Sequence, residues 1–252
     1  MSNYVNGIAL VIGGTGHLGA AAARELSRRG VDVAVTYRHE GPKVRALVES
    51  APGPGAIEAH QADLLDPASV RSVLEKLALS RRVHTVVYAA GIEVPQHYVS
   101  QVPRDTWLQA MQFELGGFFD AAQAAINTLR KGGGGSLVAL TSSAIHRYVA
   151  RDALSAVPKS AVEMLVRAIA REEGRNGIRA NCVAPGLLEG GVGLGIIDEL
   201  GAESLVSKVL ATTPLRRLIS AQDVAHAVAW LASDEAAAVT GQTLVVDCGQ
   251  SA

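Results

Sequence analysis

The amino-acid sequence predicts an α/β fold, a doubly wound parallel sheet with helices on both faces, and three observations carry that prediction. Short β-branched runs alternate with longer amphipathic segments; the runs are almost continuously apolar, as strands buried on both faces must be; and no linker-like shift in composition divides the chain. A single domain spanning residues 1–252 is the economical reading, because 252 residues that are 48% hydrophobic and 19% charged can bury a full core. The formal net charge is −1, and Lys and Arg are scattered along the chain. That distribution gives no electrostatic footprint for nucleic acid or an anionic membrane, so a small molecule is the expected partner. The start "MSNYVNGIALVIGGTG" has no basic leader-like region, and no stretch approaches the ~20 apolar residues of a membrane span, so the expected location is the cytoplasm. Cys182 and Cys248 have no metal-ligand spacing; no metal site is expected, and both read as packed thiols.

The expected strands, in order, are "IALVI", "DVAVTY", "AIEAHQAD", "HTVVYAA", "SLVALTS", "IRANCVAP" and "TLVVDCG". A helix is expected to open at about Leu18, directly after the first strand. Asp66-Pro67 sets a capping carboxylate before a proline suited to the first helical position, which predicts a helix over 67–79. Long helices are expected over 105–131 and 155–174, and "KGGGGS" at 131–136 reads as a helix stop and turn between helix and strand. Val224, Val228 and Leu231 recur at helical spacing between Ser220 and Ser233, predicting the last helix.

Chemistry enters at "VIGGTGHLG". Gly13, Gly16 and Gly19 lie three apart between the first strand and a helix, with Thr15, His17 and Leu18 among them. Glycines there let the backbone approach a pyrophosphate, whose charge is then met by free N–H groups at the positive helix end, so the turn reads as a dinucleotide-binding loop. The second strand ends Tyr37-Arg38-His39, where an NAD site would place a carboxylate on the ribose 2′-OH. An aromatic face and one or two cations suit a 2′-phosphate instead, so the expected cofactor is NADP(H) ahead of NAD(H).

With these pieces in place the chain resembles the short-chain dehydrogenase/reductase family from about Gly7 to Gly249. Matching it in order are the glycine turn, Ala62-Asp63 after the third strand, Ala89-Ala90-Gly91 after the fourth, "SLVALTSS" before a hydroxyl-x-x-x-Lys helix, "IRANCVAPG", and the tail from "TPLRRL" to "VVDCG". The resemblance implies a Rossmann-type fold. It also implies that Asp63, with Leu64 beside it, holds the adenine, that Ala89, Ala90 and Gly91 line the cofactor channel, that Val183 to Gly186, including Pro185, lie along the nicotinamide, and that Lys159 binds the nicotinamide ribose.

Departures from the family pattern concentrate at the chemistry. His17 stands where family members of this length carry glycine, and Tyr88-Ala89-Ala90-Gly91 replaces the usual "NNAG". Glu114 aligns with the asparagine that binds a proton-relay water, and Gly190 with a threonine near the carboxamide. Ser142 aligns with the family serine, but 13 residues on stands Ser155, four before Lys159, where the family has its tyrosine. A phenol beside an ammonium exchanges protons near neutral pH; an alkanol can donate a hydrogen bond but is a poor proton source. Tyr148 in the loop, or a water held by Glu114, is the expected substitute, with His146, Arg147, His97, Tyr98 and Glu93 as weaker candidates; Glu114 could equally pair with Lys159 or Arg147.

The expected function is therefore an NADP(H)-dependent reductase of a carbonyl, a ketone or β-ketoacyl thioester, with Ser142 and Ser155 polarising the acceptor and Lys159 fixing the cofactor. Reduction of an enoyl thioester is one alternative, and a nucleotide-binding partner or sensor without turnover is the other. A lid is expected at about 187–213, where Leu194, Ile196 and Ile197 would cover an apolar or acyl-thioester substrate. By resemblance the chain should form a homotetramer, or else a dimer, with Leu165 and Ile169 facing symmetry mates; the alternative is that these two face only the sheet.

Overall fold

Strand β1 (Ile8–Ile12) is wholly buried, and β2 (Asp32–Tyr37) lies on one side of it, with β4 (Val83–Tyr88) on the other. With β3 (Ile57–Gln61), β5 (Gly135–Leu140), β6 (Ile178–Pro185) and β7 (Thr243–Val246) they make a seven-stranded parallel sheet, ordered β3-β2-β1-β4-β5-β6-β7. Every strand run expected from the sequence is present. The computed structural model describes residues 4, 6–49, 51–189, 207 and 209–252.

Helix α1 (His17–Arg28) and α2 (Pro42–Glu49) cover one face, and α3 (Pro67–Ala78) covers the other. Asp66 caps α3 by accepting the Ala68 N–H at 3.0 Å, as the Asp-Pro pair implied. On that second face lie α5 (Gly117–Lys131) and α6 (Ala153–Glu173), whereas α7 (Ala221–Ala232) packs beside α1 on the first. Ser220 and Asp223 form a reciprocal capping box at the start of α7. The glycine run after α5 does stop the helix: Gly133 and Gly134 adopt φ of +80° and +101°, left-handed backbone that other residues resist.

Two expectations need correction. The helix foreseen over 105–131 is broken: α4 (Arg104–Met111) gives way to a π turn at Gln112–Gly116 before α5 begins. Such wide turns add a residue to the helical repeat and redirect the side chains on them, and this one carries Glu114. Ile169 is buried within the chain's own core and Leu165 packs against that core, so both face the sheet; Leu108, Phe119, Val157 and Met164 are the apolar side chains that α4 to α6 leave outside.

Sheet order reverses direction between β1 and β4, because the chain proceeds from β1 toward β2 on one side and from β4 toward β5 on the other. Connections that diverge in this way leave a crevice beyond the carboxyl ends of the two strands, where α/β sheets bind ligands.

Candidate active site

The crevice is floored by two touching loops. Gly13 has φ of +76°, and a Cβ on it would lie 2.8 Å from the backbone N and Cα of Ala90, so the turns after β1 and β4 meet at van der Waals limits. The Gly13 N–H donates to the Thr36 hydroxyl at 3.0 Å and the Gly14 N–H to the Thr36 carbonyl at 3.1 Å, pinning the turn to β2. A Cβ on Gly19 would stand 2.3 Å from the Gly13 carbonyl oxygen, which is how closely α1 abuts the turn. Gly16 caps α1 without a side chain, Gly16 and His17 are exposed, and Thr15 and Leu18 are half-buried. The first-turn N–H groups thus have no side-chain acceptor, and the residues present fit a pyrophosphate.

At the end of β2, Tyr37 is half-buried, while Arg38 and His39 are exposed, the Arg38 Nε donating to His39 Nε2 at 2.8 Å. Asp63 is exposed after β3; its Oδ1 accepts the Leu65 N–H at 3.0 Å, and Leu64 turns inward onto the core. Ala89 and Ala90 are half-buried and Gly91 is exposed. Across the crevice Pro185 is buried, and the Gly186 N–H donates to the Val246 carbonyl at 2.9 Å.

Glu114 joins these loops to the helix bearing the lysine. Its carboxylate, 3% exposed, accepts the Ile92 N–H at 3.0 Å through Oε1 and the Lys159 ammonium at 2.9 Å through Oε2, and a Cβ on Gly91 would lie 3.4 Å from Oε1. Gly13, Ala90, Gly91, Glu114 and Lys159 therefore form one continuous line of contacts across the switch point. Of the two partners foreseen for Glu114 the structure selects Lys159, because Arg147 is drawn away to the Gln250 carbonyl at 2.6 Å. Ser142, at the end of β5, accepts the Ala144 N–H at 3.2 Å, and Ser155 is half-buried in the first turn of α6.

Several other candidates lie apart from this line. Tyr148 is exposed on its loop, His146 approaches Glu163 at 3.5 Å, and Tyr98 lies under the Arg151 guanidinium at 4.6 Å. Glu93 is exposed and His97 half-buried on the loop after β4. Gly190, Leu194, Ile196 and Ile197, with most of the lid segment, lie outside the described residues. Tyr88, in place of the first residue of "NNAG", is buried edge-on against Phe118; burial and the Glu114 charge push its phenol far up, and its hydroxyl has no hydrogen-bond partner among the described residues.

Sequence reasoning missed Asp152. This carboxylate precedes α6, and burial pushes its carboxyl above the ordinary value, the Lys159 charge opposing that shift and the Glu114 charge adding to it. Its place three residues before Ser155 was the available signal, but an Asp there reads simply as a helix cap. Among the described residues no group of three or more His, Cys, Asp or Glu could hold a metal, and no helix is long and apolar enough to cross a membrane.

Known proteins share this architecture and much of the sequence. A family model described as Enoyl-(Acyl carrier protein) reductase matches residues 15–251. The Escherichia coli K12 protein 3-oxoacyl-[acyl-carrier-protein] reductase FabG is 32% identical over 249 residues, 98% of each chain. L-rhamnose 1-dehydrogenase (NAD(P)(+)) of Sphingomonas sp. SKA58 is 34% identical over 95% of this chain and 94% of its own. A solved short-chain type dehydrogenase/reductase from Mycobacterium ulcerans superposes with a TM-score of 0.90 at 29% identity, covering 98% of this chain and 90% of that one. Fold, crevice and sequence thus agree: the chain belongs to the short-chain dehydrogenase/reductase family of NAD(P)-dependent oxidoreductases.

Proposed function

We propose that the protein is an NADPH-dependent reductase of a carbonyl substrate, a ketone or a β-ketoacyl thioester, working with a proton donor other than the family tyrosine. The contact line from Gly13 through Glu114 to Lys159 is the observation that carries the reading, since it joins a phosphate-fitting turn to a cation one helical turn from Ser155. The thioester class is suggested by the acyl-carrier-protein substrate in the E. coli relative's name.

When bound, the reduced nicotinamide supplies a hydride. The chain's own residues do the rest. First-turn N–H groups of α1 hold the pyrophosphate, with Gly13, Thr15, Gly16, His17, Leu18 and Gly19 shaping the cradle; Tyr37, Arg38 and His39 receive the 2′-phosphate; Asp63 and Leu64 flank the adenine. Ala89, Ala90, Gly91, Pro185 and Gly186 line the channel, and Lys159, held by Glu114, binds the ribose hydroxyls. Ser142 and Ser155 hydrogen-bond the substrate oxygen, concentrating positive character on the carbonyl carbon. A homotetramer, with a dimer as the alternative, is the proposed assembly, in keeping with the outward Leu108, Phe119, Val157 and Met164. A cytoplasmic location accords with two unpaired, buried cysteines.

Oxidation of NADPH across ketones, β-ketoacyl thioesters and enoyl thioesters tests the reading. Turnover of the carbonyl compounds is expected. Turnover of the enoyl thioesters alone would favour the activity in the family model's description. Cofactor binding with no turnover on any of them would make the chain a nucleotide-binding partner.

Cofactor preference has its own test. Arg38 already spends its Nε on His39, leaving the rest of the guanidinium for a 2′-phosphate. Charge-assisted hydrogen bonds contribute about 1.5–3 kcal/mol, so Arg38→Asp should weaken NADPH roughly ten- to hundredfold and leave NADH no weaker, as read by fluorescence titration. Equal affinities for the two cofactors in the wild type would contradict the assignment.

A further inference from the structure

Glu163 stands on α6 one helical turn beyond Lys159, close to the core residues Val162 and Val166, and it is 3% exposed. A carboxylate buried this deeply is costly unless its oxygens find partners. Its Oε1 accepts the Thr141 hydroxyl at 3.0 Å and lies 3.5 Å from His146 Nε2; Oε2 faces the half-exposed Arg167 guanidinium at 3.9 Å. Thr141 and His146 flank a short stretch of the loop after β5. Between them Ser142 is the N-cap of a 3₁₀ turn, Ser143–Ile145, of which His146 is the C-cap. One carboxylate oxygen therefore meets the chain immediately before Ser142 and again where the turn that Ser142 opens comes to its end. The Thr141 N–H donates to the Val183 carbonyl on β6 at 2.9 Å, so the backbone here is fixed to the sheet and the side chain to α6. Stability alone does not call for a charge at this position, because replacing buried charged groups by apolar ones of similar volume is often neutral or stabilising. What the carboxylate contributes is direction.

We propose that Glu163 is a positioning residue for the reduction: through Thr141 and His146 it holds the Ser142 hydroxyl in register with Ser155 and Lys159. This rests on the reductase reading above. Ser155, Lys159 and Glu163 stand at successive turns of α6, whereas Ser142 belongs to the loop after β5. The Glu163 contacts tie that loop to the helix, so the two hydroxyls that would meet the substrate oxygen keep a fixed separation. An orienting donor contributes to rate only when it lies within hydrogen-bond distance of the place the developing oxyanion occupies. A displacement of about 1 Å can lower a rate by about 100-fold, and a loop free of its strut moves at least that far. The role is geometric: no proton passes through Glu163, and it touches neither substrate nor cofactor.

Glu163→Met in the full-length protein keeps the volume of the side chain and removes its acceptor. With a β-ketoacyl thioester as substrate it should lower kcat by about 100-fold, with NADPH affinity unchanged and a melting temperature no lower than that of the wild type. Glu163→Gln, whose amide oxygen can still accept the Thr141 hydroxyl, should stay within about threefold of the wild-type rate. Thr141→Val removes the donor at nearly constant shape and should repeat the methionine result; it carries the same comparison if methionine fails to pack. The decisive readout is taken in a Ser142→Ala background. There Glu163→Met, or Thr141→Val in its place, should lower kcat no further, because a residue that acts through Ser142 has nothing left to orient. Losses that multiply in that background would overturn the proposal. So would a wild-type rate in Glu163→Met or Thr141→Val, or a kcat that falls together with melting temperature and NADPH affinity in both. A glutamine variant as slow as the methionine variant would tie the effect to charge and overturn it as well. Wild-type protein that binds NADPH but reduces no carbonyl would remove the reductase reading itself, before any variant is compared.

Discussion

Gly19→Ala should abolish dinucleotide binding while leaving the protein folded. The added Cβ would meet three backbone atoms, the Gly13 carbonyl oxygen at 2.3 Å, its carbon at 2.9 Å and the Gly14 Cα at 3.0 Å, none of which can rotate aside as a side chain could. Either α1 tilts away from the sheet or the turn opens. Both movements displace the Gly13 N–H from Thr36 and take the first-turn N–H groups out of the positions that would receive the pyrophosphate. Overpacking of this kind costs about 1–3 kcal/mol, which a domain with about 5–15 kcal/mol of stability survives. Loss of several charge-assisted hydrogen bonds should weaken NADPH by about 100-fold or more. Fluorescence titration beside a thermal melt checks this; wild-type affinity in a folded Gly19→Ala protein would show that the cradle is not where the cofactor lies.

Lys159→Ala should damage both cofactor binding and stability, and the two effects can be separated. Lys159 and Glu114 form an ion pair at 2.9 Å with side chains only 16% and 3% exposed. Removing the ammonium strands a buried carboxylate with a single backbone donor, Ile92; breaking such a pair ordinarily costs about 3–5 kcal/mol. It also removes the proposed ribose contact and the positive potential beside Ser155, so NADPH affinity and kcat should fall together. Adding Glu114→Gln neutralises the stranded charge. The double variant should therefore recover most of the lost melting temperature and none of the cofactor affinity. Recovery of both would reduce Lys159 to a structural counter-ion.

Much of this architecture is legible in the sequence because its signals are local. All seven strands stand out as apolar runs, Asp66-Pro67 and Ser220 mark helix starts through their own side chains, and the glycine triplet meets its strand and helix as the phosphate reading requires. What stays hidden depends on neighbours distant in the chain. The break at Gln112–Gly116 interrupts neither polarity nor composition, so the helical pattern reads straight through the turn that directs Glu114. An apolar stripe through Leu165 and Ile169 says that a face is buried but not against what, and the sheet takes it. Asp152 is hidden for a related reason: its residue type fits a cap, yet after the left-handed Arg151 its side chain makes no capping hydrogen bond.

The central claim is that a carbonyl carbon receives hydride in this crevice, and isotope transfer addresses it most directly. NADPH carrying deuterium on the transferred position of the nicotinamide C4 is incubated with a β-ketoacyl thioester and the protein, and the product is read by mass spectrometry and NMR. The account predicts a 3-hydroxyacyl thioester with one deuterium on the carbinol carbon, formed by the wild type. Unlabelled, unreduced thioester recovered from wild-type protein saturated with NADPH would contradict it.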